Sequence, residues 1–292
     1  MFIIDAHTHE PPLKSPRLGA LPLDDERRME AACEVSLAAM DAIGIDMALL
    51  LARTEWAEFA AAAHPARFAS NIRLDPADPD IEELVGTARN RQGVVGLQAH
   101  LSWPPSGENI QLLRAGGFEA MFAAAEKHQL PVSAIVSGDL PEIAPIAEAH
   151  PDLILVIPHF GLKQPPLREP DVPPFAQLDQ LLDLARYPNV FVKCSGIPTL
   201  SATGFPYPDV WPHILKVIGT FGLGRVMWAS DYTRVSQLMS YEHALAYLRD
   251  TTELSTAEKT QLLGGTAARV FGLPSGCQEV ERDTTPDDGP AR

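Results

Sequence analysis

The sequence contains few cysteines and no long apolar run. Among its 292 residues are only three cysteines, Cys33, Cys194 and Cys277, and they are too far apart to form a C-x-x-C pair or a disulfide framework. No segment reaches the roughly 18 apolar residues of a membrane-spanning helix. The start of the chain, Met1–Ile4, lacks the basic residues and the longer apolar core of a signal peptide. We therefore expect a reduced, cytoplasmic protein.

Positive charge is also scarce. Lysine and arginine number 23 against 38 aspartates and glutamates, so the formal net charge is −15. Such an acidic chain is poorly suited to bind nucleic acid or anionic membranes non-specifically. We expect a small-molecule substrate and neither of those partners, and the choice between a monomer and a homodimer stays open.

Eight short apolar segments alternate with helical ones. Hydrophobic residues make up 46% of the chain, which excludes wholesale disorder. The alternation predicts a (β/α)8 TIM barrel, an α/β fold with a single domain over residues 1–273 and a disordered tail over 274–292. An open doubly wound sheet is the alternative, but no G-x-G-x-x-G motif follows an early strand. The predicted strands are Phe2–Asp5, Asp46–Leu51, Phe68–Leu74, Val94–Ala99, Val132–Val136, Leu153–Ile157, Val190–Cys194 and Val226–Ala229.

Two proline-rich stretches, residues 11–23 and 164–174, follow the first and the sixth predicted strand. Active sites of TIM barrels lie at the carboxyl ends of the strands, where loops of this kind are found. Both stretches are therefore candidate substrate loops, and ordinary surface loops are the alternative.

Polar side chains at the predicted strand ends are candidates for catalysis. His7 and His9, two residues apart, share one face of a strand and can converge on one ion or bind substrate, and two surface histidines in a loop are the alternative. Asp231 ends the eighth strand, which neighbours the first in a closed barrel, so it can reach the same ion and take a proton from a water. A helix N-cap is the alternative for Asp231. For His159, at the end of the sixth strand, the roles of ligand, proton shuttle and substrate binder are all open.

Three cationic side chains at strand ends are candidates for binding a substrate anion. Arg73 ends the third strand, His100 ends the fourth and Lys193 lies in the seventh. Each can bind a carboxylate or an oxyanion, or form a structural ion pair instead. Cys194 has no base fixed beside it in the sequence, so we expect a buried core residue.

Several motifs resemble the amidohydrolase superfamily. The opening residues 4–9, Ile-Asp-Ala-His-Thr-His, are similar to the first-strand motif of that superfamily. The resemblance extends over residues 1–273. It is closest to the amidohydrolase-related branch, which includes aminocarboxymuconate-semialdehyde decarboxylase and several lactonases. The further matching segments are residues 64–68 with 75–76, 156–161, 187–196, 225–231 and 264–271.

The resemblance implies one divalent metal, often zinc, held by His7, His9 and Asp231, with His159 acting on substrate or water or as a further ligand. Many members add a histidine from strand 5, but here Val136 or Ser137 stands near that place. Three protein ligands and a water still make a catalytic zinc site. Some lactonases of the branch work without metal, so a metal-free site stays open.

The leading hypothesis is a hydrolase that opens a lactone, or a similar ester or amide bond, in a small carboxylated molecule. Asp231 activates the water, His159 assists, and Arg73, His100 and Lys193 bind the substrate. A metal-dependent decarboxylase of a small unsaturated or aromatic carboxylic acid is the second hypothesis. The third is a barrel that binds a ligand without turnover.

Overall fold

The computed structural model describes residues 1–11, 25–51, 55–102 and 104–276. Its eight strands form one parallel sheet in sequential order. Helices lie between successive strands, so the prediction of a TIM barrel is confirmed. The candidate loop at 11–23 lies almost entirely outside the described residues, as does most of the predicted tail. The strands are β1 (Ile4–Thr8), β2 (Met47–Leu51), β3 (Phe68–Ile72), β4 (Val94–His100), β5 (Val132–Ile135), β6 (Leu155–Ile157), β7 (Val190–Ser195) and β8 (Val226–Ala229).

The helices form the outer layer of the barrel. No described helix has both the length and the apolar composition needed to cross a membrane. A single π-helical turn, Gln261–Gly265, connects the last two helices. The helices are α1 (Asp25–Ile43), α2 (Trp56–Ala63), α3 (Ile81–Ala88), α4 (Glu108–Arg114), α5 (Glu119–Lys127), α6 (Ile143–Ala149), α7 (Leu178–Asp183), α8 (Trp211–Phe221), α9 (Tyr232–Val235), α10 (Tyr241–Arg249), α11 (Thr256–Thr260) and α12 (Thr266–Phe271).

Two apolar clusters stabilise the barrel. The larger one lies between the outer faces of the strands and the surrounding helices. The smaller one fills the inside near the strands' amino ends, where Val156, Phe191 and Met227 pack with Ala267 and Phe271 of α12. Burial of these side chains closes the amino end of the barrel. The carboxyl end is left for polar groups.

The ends of the first strand differ from the prediction. Strand 1 was expected over Phe2–Asp5, but β1 runs over Ile4–Thr8 and therefore contains most of the D-A-H-T-H motif. The expectation was wrong because it relied on the apolar residues at the start. Asp5 and His7 are polar yet fully enclosed, with exposures of 0% and 1%. Buried hydrogen bonds and ionic contacts, rather than hydrophobicity, hold this part of the strand.

The turn Gln261–Gly265 makes a close backbone contact that a side chain would prevent. A Cβ on Gly264 would overlap the carbonyl oxygen of Phe2, whereas a Cβ on Gly219 in α8 would have no atom within 4 Å. We predict that Gly264→Ala lowers the free energy of unfolding by about 1–3 kcal/mol through overpacking. The matched variant Gly219→Ala should leave it unchanged or raise it by up to about 1 kcal/mol. Urea unfolding measures both, and equal midpoints would contradict the prediction.

Candidate active site

An irregularity in β1 turns two histidines into the barrel. In the pairing with β2, Asp5 lies opposite Ala48 and Thr8 opposite Leu50, so three steps along β1 match two along β2. One extra residue of this kind is a β-bulge, and bulges re-aim side chains next to active sites. Ile4 and Ala6 belong to the inner apolar cluster, and after the shift His7 and His9 face the inside. Their ring centroids lie 5.1 Å apart.

Asp231 meets these histidines from the end of β8. Its Oδ1 lies 3.8 Å from Nε2 of His7 and 3.5 Å from Nε2 of His9. The residue occupies the N-cap position of α9, but its side chain makes no capping hydrogen bond. Its φ of 55° lies in the left-handed region, which a residue with a side chain adopts only where the surroundings enforce it. The carboxylate is therefore held toward the histidines rather than toward the helix.

The carboxylate of Asp5 joins the two segments that carry this cluster. Its Oδ1 accepts hydrogen bonds from the backbone N–H of His7 at 3.2 Å and of Ser230 at 2.9 Å. Its Oδ2 accepts from the Ser230 hydroxyl and, at 2.8 Å, from the Tyr241 hydroxyl. Complete burial raises the pKa of Asp5, and these hydrogen bonds act against that shift. Asp5 thus positions both strand ends without facing the cavity.

His159 approaches the cluster from the end of β6. Its φ is 60°, also in the left-handed region. Its backbone N–H donates to the Ser195 hydroxyl at 2.8 Å, and its Nδ1 lies 2.9 Å from the same oxygen and 3.7 Å from Oδ2 of Asp231. Burial lowers the pKa of His159 well below its usual value, and the Arg234 charge adds to this. The imidazole is therefore neutral near pH 7.

Arg234, which the sequence analysis missed, binds the other side of Asp231. Its Nε donates to Oδ2 of Asp231, and its two terminal nitrogens donate to the Pro165 carbonyl at 2.8 Å and to the Gln164 side chain at 2.9 Å. The guanidinium thereby connects the end of β8 to the loop after β6. A short sequence interval, Asp231-x-x-Arg234, was the only available signal, and it is common on helix surfaces.

The cluster suits a divalent metal. The candidate ligand atoms of His7, His9 and Asp231 all lie within 4.8 Å of one another. Zinc bonds of about 2.0–2.1 Å in a tetrahedron place neighbouring ligand atoms about 3.3 Å apart, close to the separations seen here. Nδ1 of His9 lies 3.1 Å from the carbonyl oxygen of Leu51, a contact that orients metal-binding histidines. Burial lowers the pKa of His7 well below its usual value, which keeps its imidazole neutral and suits it for a metal.

His159 lies outside this compact cluster. Among the described residues, the group of close ligand atoms comprises His7, His9 and Asp231. His159 makes its short contact with the Ser195 hydroxyl instead. A metal-binding role for His159 stays a prediction, and its hydrogen bonds fit a group that acts on the substrate or on water.

A cavity of about 310 Å³ opens above the cluster. This volume suits a small molecule. The predicted residues Arg73, His100 and His159 line it together with His7 and His9, so the structure brings most of the candidates to one place. The candidate loop at 164–174 contributes to its wall, as expected. The other lining residues are Gln98, Ser102, Ile135, Ser137, Leu162, Gln164, Leu167, Arg168 and Arg234.

Lys193 is placed differently from the other cationic candidates. It is completely buried and is not among the residues that line the cavity. Its ammonium donates to the Ala6 carbonyl at 2.7 Å and to the Ser133 hydroxyl at 3.3 Å. Burial lowers its pKa to about 7. Substrate binding by Lys193 stays a prediction, and these contacts favour a role in holding β1 beneath the cavity.

The residues at the end of β5 show which side chain stands in place of the strand 5 histidine. Ser137 and Ile135 line the cavity, while Val136 packs in the outer apolar cluster. Ser137 is thus the residue after β5 that faces the site, and it offers a hydroxyl rather than an imidazole.

Gln98 in β4, which the sequence analysis did not single out, also faces the cavity. Its side-chain amide is buried and has no hydrogen-bond partner among the described residues.

Comparisons with known proteins identify relatives of this chain. A family model described as Amidohydrolase matches residues 4–273. An L-fucono-1,5-lactonase from Burkholderia ambifaria is 30% identical over 166 residues, which are 53% of this chain and 54% of the relative. A second L-fucono-1,5-lactonase, from Burkholderia multivorans, is 32% identical over 151 residues, 48% of this chain and 50% of the relative. The chain therefore matches about half the length of these curated relatives.

Solved structures share the fold at lower identity. An amidohydrolase from Burkholderia multivorans with bound zinc has a TM-score of 0.73 and 21% identity over 94% of this chain and 100% of its own. A probable 2-pyrone-4,6-dicarboxylic acid hydrolase from Acinetobacter baumannii, with citric acid bound, has a TM-score of 0.71 and 20% identity over 94% of this chain and 100% of its own. A 2,6-dihydroxybenzoate decarboxylase from Rhizobium has a TM-score of 0.61 and 17% identity over 93% of this chain and 99% of its own. At these identities the likeness shows the fold alone.

The buried ammonium of Lys193 makes stability depend on pH. Its pKa is about 7 in the folded protein and about 10.4 in an unfolded chain. Below pH 7 both states carry the charge and the folded state bears the full cost of burying it. Above pH 7 the unfolded state binds more protons, so stability rises by about 1.4 kcal/mol per pH unit. We predict that the free energy of unfolding of the wild type rises relative to Lys193→Met between pH 7 and pH 9.

The control for this measurement is Lys216→Met. Lys216 is an exposed residue of α8 whose ammonium lies 2.7 Å from Asp179. Its removal should leave the pH dependence of urea unfolding unchanged. A difference in the free energy of unfolding between the wild type and Lys193→Met that stays constant from pH 7 to pH 9 would contradict the prediction.

Proposed function

Because the chain belongs to the amidohydrolase family, we propose that it is a hydrolase that opens a lactone, or a related ester or amide bond, in a small carboxylated molecule. The observation that carries the proposal is the convergence of Asp231, His7, His9 and His159 below one cavity. A carboxylate beside neutral imidazoles, at the carboxyl ends of barrel strands, is equipped for hydrolysis.

The comparisons support lactone opening over other hydrolyses. The curated relatives are L-fucono-1,5-lactonases, matched over about half of their length. One structure of the same fold is of a probable 2-pyrone-4,6-dicarboxylic acid hydrolase, and a 2-pyrone is a cyclic ester. The zinc bound in another such structure supports zinc at the His7, His9 and Asp231 cluster.

Asp231 takes the proton of the attacking water in this proposal. Its Oδ2 is engaged by the Arg234 guanidinium, which stabilises the carboxylate form and leaves Oδ1 on the side of the histidines. A divalent ion at the cluster would polarise the scissile carbonyl and favour ionisation of the water. The oxygen of the water then bonds to the carbonyl carbon, and the ring carbon–oxygen bond breaks.

His159 serves the second half of the reaction. As a neutral imidazole in the cavity wall it can donate a hydrogen bond to the developing oxyanion. It can also give a proton to the departing ring oxygen and recover one from Asp231, whose carboxyl group lies 3.7 Å from Nδ1 of His159. The contact of the same Nδ1 with the Ser195 hydroxyl fixes the ring for this step.

A decarboxylase is the second candidate. The shared fold with a 2,6-dihydroxybenzoate decarboxylase keeps it open, and the same cluster of histidines and aspartate would hold its metal. The hydroxyl of Ser137 in place of a strand 5 histidine counts mildly against it. Product analysis separates the two reactions, because a lactonase yields a ring-opened acid and a decarboxylase releases CO₂.

Removal of the proposed base tests the mechanism. We predict that Asp231→Asn lowers kcat by a factor of at least about 10²–10⁴ on any lactone that the wild type opens, because the amide cannot accept the proton. A pH-indicator assay over a panel of sugar lactones and 2-pyrone carboxylates measures this. The matched control Asp179→Asn, at an exposed residue of α7, should keep wild-type turnover. Near-normal turnover by Asp231→Asn would refute the assignment.

The metal is tested by content rather than by activity. Protein purified without a metal-affinity tag is expected to contain about one zinc or manganese ion per chain, measured by plasma mass spectrometry. His9→Asn should lose most of it because the variant removes one of three protein ligands. The control His213→Asn, in α8, should retain it. Wild type that stays metal-free after incubation with zinc and manganese would point to a metal-independent lactonase and exclude the metal-dependent decarboxylase.

A further inference from the structure

The lining of the cavity has the opposite charge to the protein as a whole. The chain carries a formal net charge of −15. Among the described residues, three arginines line the cavity (Arg73, Arg168 and Arg234) and no aspartate or glutamate does so. An arginine-lined concavity with apolar walls raises the local concentration of anions. The cavity therefore selects for negative charge.

Two of the three arginines are available to a ligand. Arg234 is engaged by Asp231, Pro165 and Gln164. Arg73, just after β3, makes no ion pair with the described part of the chain and is exposed. The charge of Arg168 is likewise not neutralised, because no carboxylate of the described residues lies within ion-pair distance of it.

Arg168 is held in a fixed position over the cavity. One terminal nitrogen donates to the Ser102 carbonyl at 3.1 Å, which connects the loop after β6 to the end of β4. Its backbone N–H donates to the Gln164 carbonyl at 3.0 Å. The Nε of the guanidinium is buried and has no hydrogen-bond partner among the described residues. A buried donor of this kind is destabilising unless a partner satisfies it.

The acidic residue Asp171 does not fill this role. Asp171 on the same loop accepts a hydrogen bond from Lys163 at 2.7 Å. The lining of the same cavity includes the apolar side chains of Leu162 and Leu167. A planar guanidinium beside apolar surface binds a carboxylate strongly, because water competes less and the fork matches the two oxygens.

The amide of Gln98 supplies a second polar group in the lining of the same cavity. Both its nitrogen and its oxygen are buried without partners in the described structure. Gln98 is only 1% exposed, and its strand neighbour His100 also lines the cavity. An amide offers one donor and one acceptor face. It therefore suits an oxygen-bearing substituent on the molecule whose carboxylate the arginines bind.

We propose that Arg168, with Arg73, forms the subsite that binds a substrate carboxylate and so restricts the enzyme to anionic lactones. The inference rests on the proposed lactone hydrolysis for the identity of the substrate, but the anion subsite itself does not depend on turnover. Arg168 is the specificity-determining residue because the contact with Ser102 orients its guanidinium in the wall.

A binding measurement tests the subsite without any reaction. Isothermal titration calorimetry compares isophthalate, a planar dicarboxylate, with isophthalamide, its uncharged analogue of the same shape. We expect the wild type to bind isophthalate at least tenfold more tightly. Arg168→Gln should weaken isophthalate binding by about tenfold to a hundredfold, the range for charge-assisted hydrogen bonds, with a smaller effect on isophthalamide. Arg89→Gln, at an exposed arginine after α3, is the control and should bind like the wild type.

A turnover measurement then tests selectivity. Coumalate, a 2-pyrone that carries one carboxylate, and its methyl ester share the same ring and differ at that position in the charge and in one methyl group. The ratio of kcat/KM for coumalate over the ester should exceed ten in the wild type and fall by at least tenfold in Arg168→Gln, mainly through KM. An unchanged ratio would overturn the proposal, as would equal binding of isophthalate and isophthalamide by the wild type.

The outcomes separate this inference from the proposed function. Isophthalate binding that depends on Arg168, without hydrolysis of any lactone, would keep the anion subsite and reject the lactonase. Hydrolysis of neutral lactones with isophthalate binding that does not depend on Arg168 would do the reverse. A third result, normal turnover of the ester by Arg168→Gln with weakened inhibition by the acid product only, would show that the arginines bind product rather than substrate and would also overturn the proposal.

Discussion

The site depends on how the barrel closes between its first and last strands. In the described residues, successive strands pair through seven parallel ladders, and none of these ladders joins β1 to β8. They meet instead through the N–H of Asp231, which donates to the His7 carbonyl at 2.9 Å, and through the buried carboxylate of Asp5. That carboxylate binds donors of β1, of Ser230 and of Tyr241 in α10. A side chain thus replaces the missing ladder, and a buried acceptor with four donors holds it more rigidly than a solvated one.

This closure has direct consequences for the histidines and the aspartate. The bulge in β1 and the left-handed φ of Asp231 both lie where Asp5 joins the strands. Either irregularity alone would be destabilising, and the shared hydrogen bonds over-determine both. The result brings Oδ1 of Asp231 within 3.5–3.8 Å of two imidazole nitrogens. The negative charge of Asp231 is balanced by Arg234, and burial keeps the imidazoles of His7 and His159 neutral.

Much of this could be predicted from the sequence because it depends on strand order and period. The eight apolar runs indicated the barrel, and the interval between His7 and His9 placed both on one face. Asp231 followed from the adjacency of the first and last strands. Other features had no such signal. Arg234 and Arg168 lie outside the strands, and their positions depend on loop conformation. Gln98 gave no such signal either, because only the structure shows that its buried amide has no partner among the residues described. Lys193 was placed on the correct strand, but only packing reveals that it lies beneath the cavity.

The proposed catalytic groups and the proposed substrate-binding groups differ in whether the protein satisfies their polar atoms. The groups proposed to handle the proton, Asp231 and His159, have hydrogen bonds and ion pairs supplied by the protein, because a catalytic group must be oriented before the substrate arrives. The groups proposed to recognise the substrate, Arg168 and Gln98, keep buried polar atoms that have no partner within the described part of the protein. Such atoms are destabilising in the free enzyme, and a ligand that satisfies them gains the difference as selectivity over one that does not. A change of substrate within this fold can therefore proceed through the loop after β6 and the end of β4 while the closure at Asp5 stays as it is.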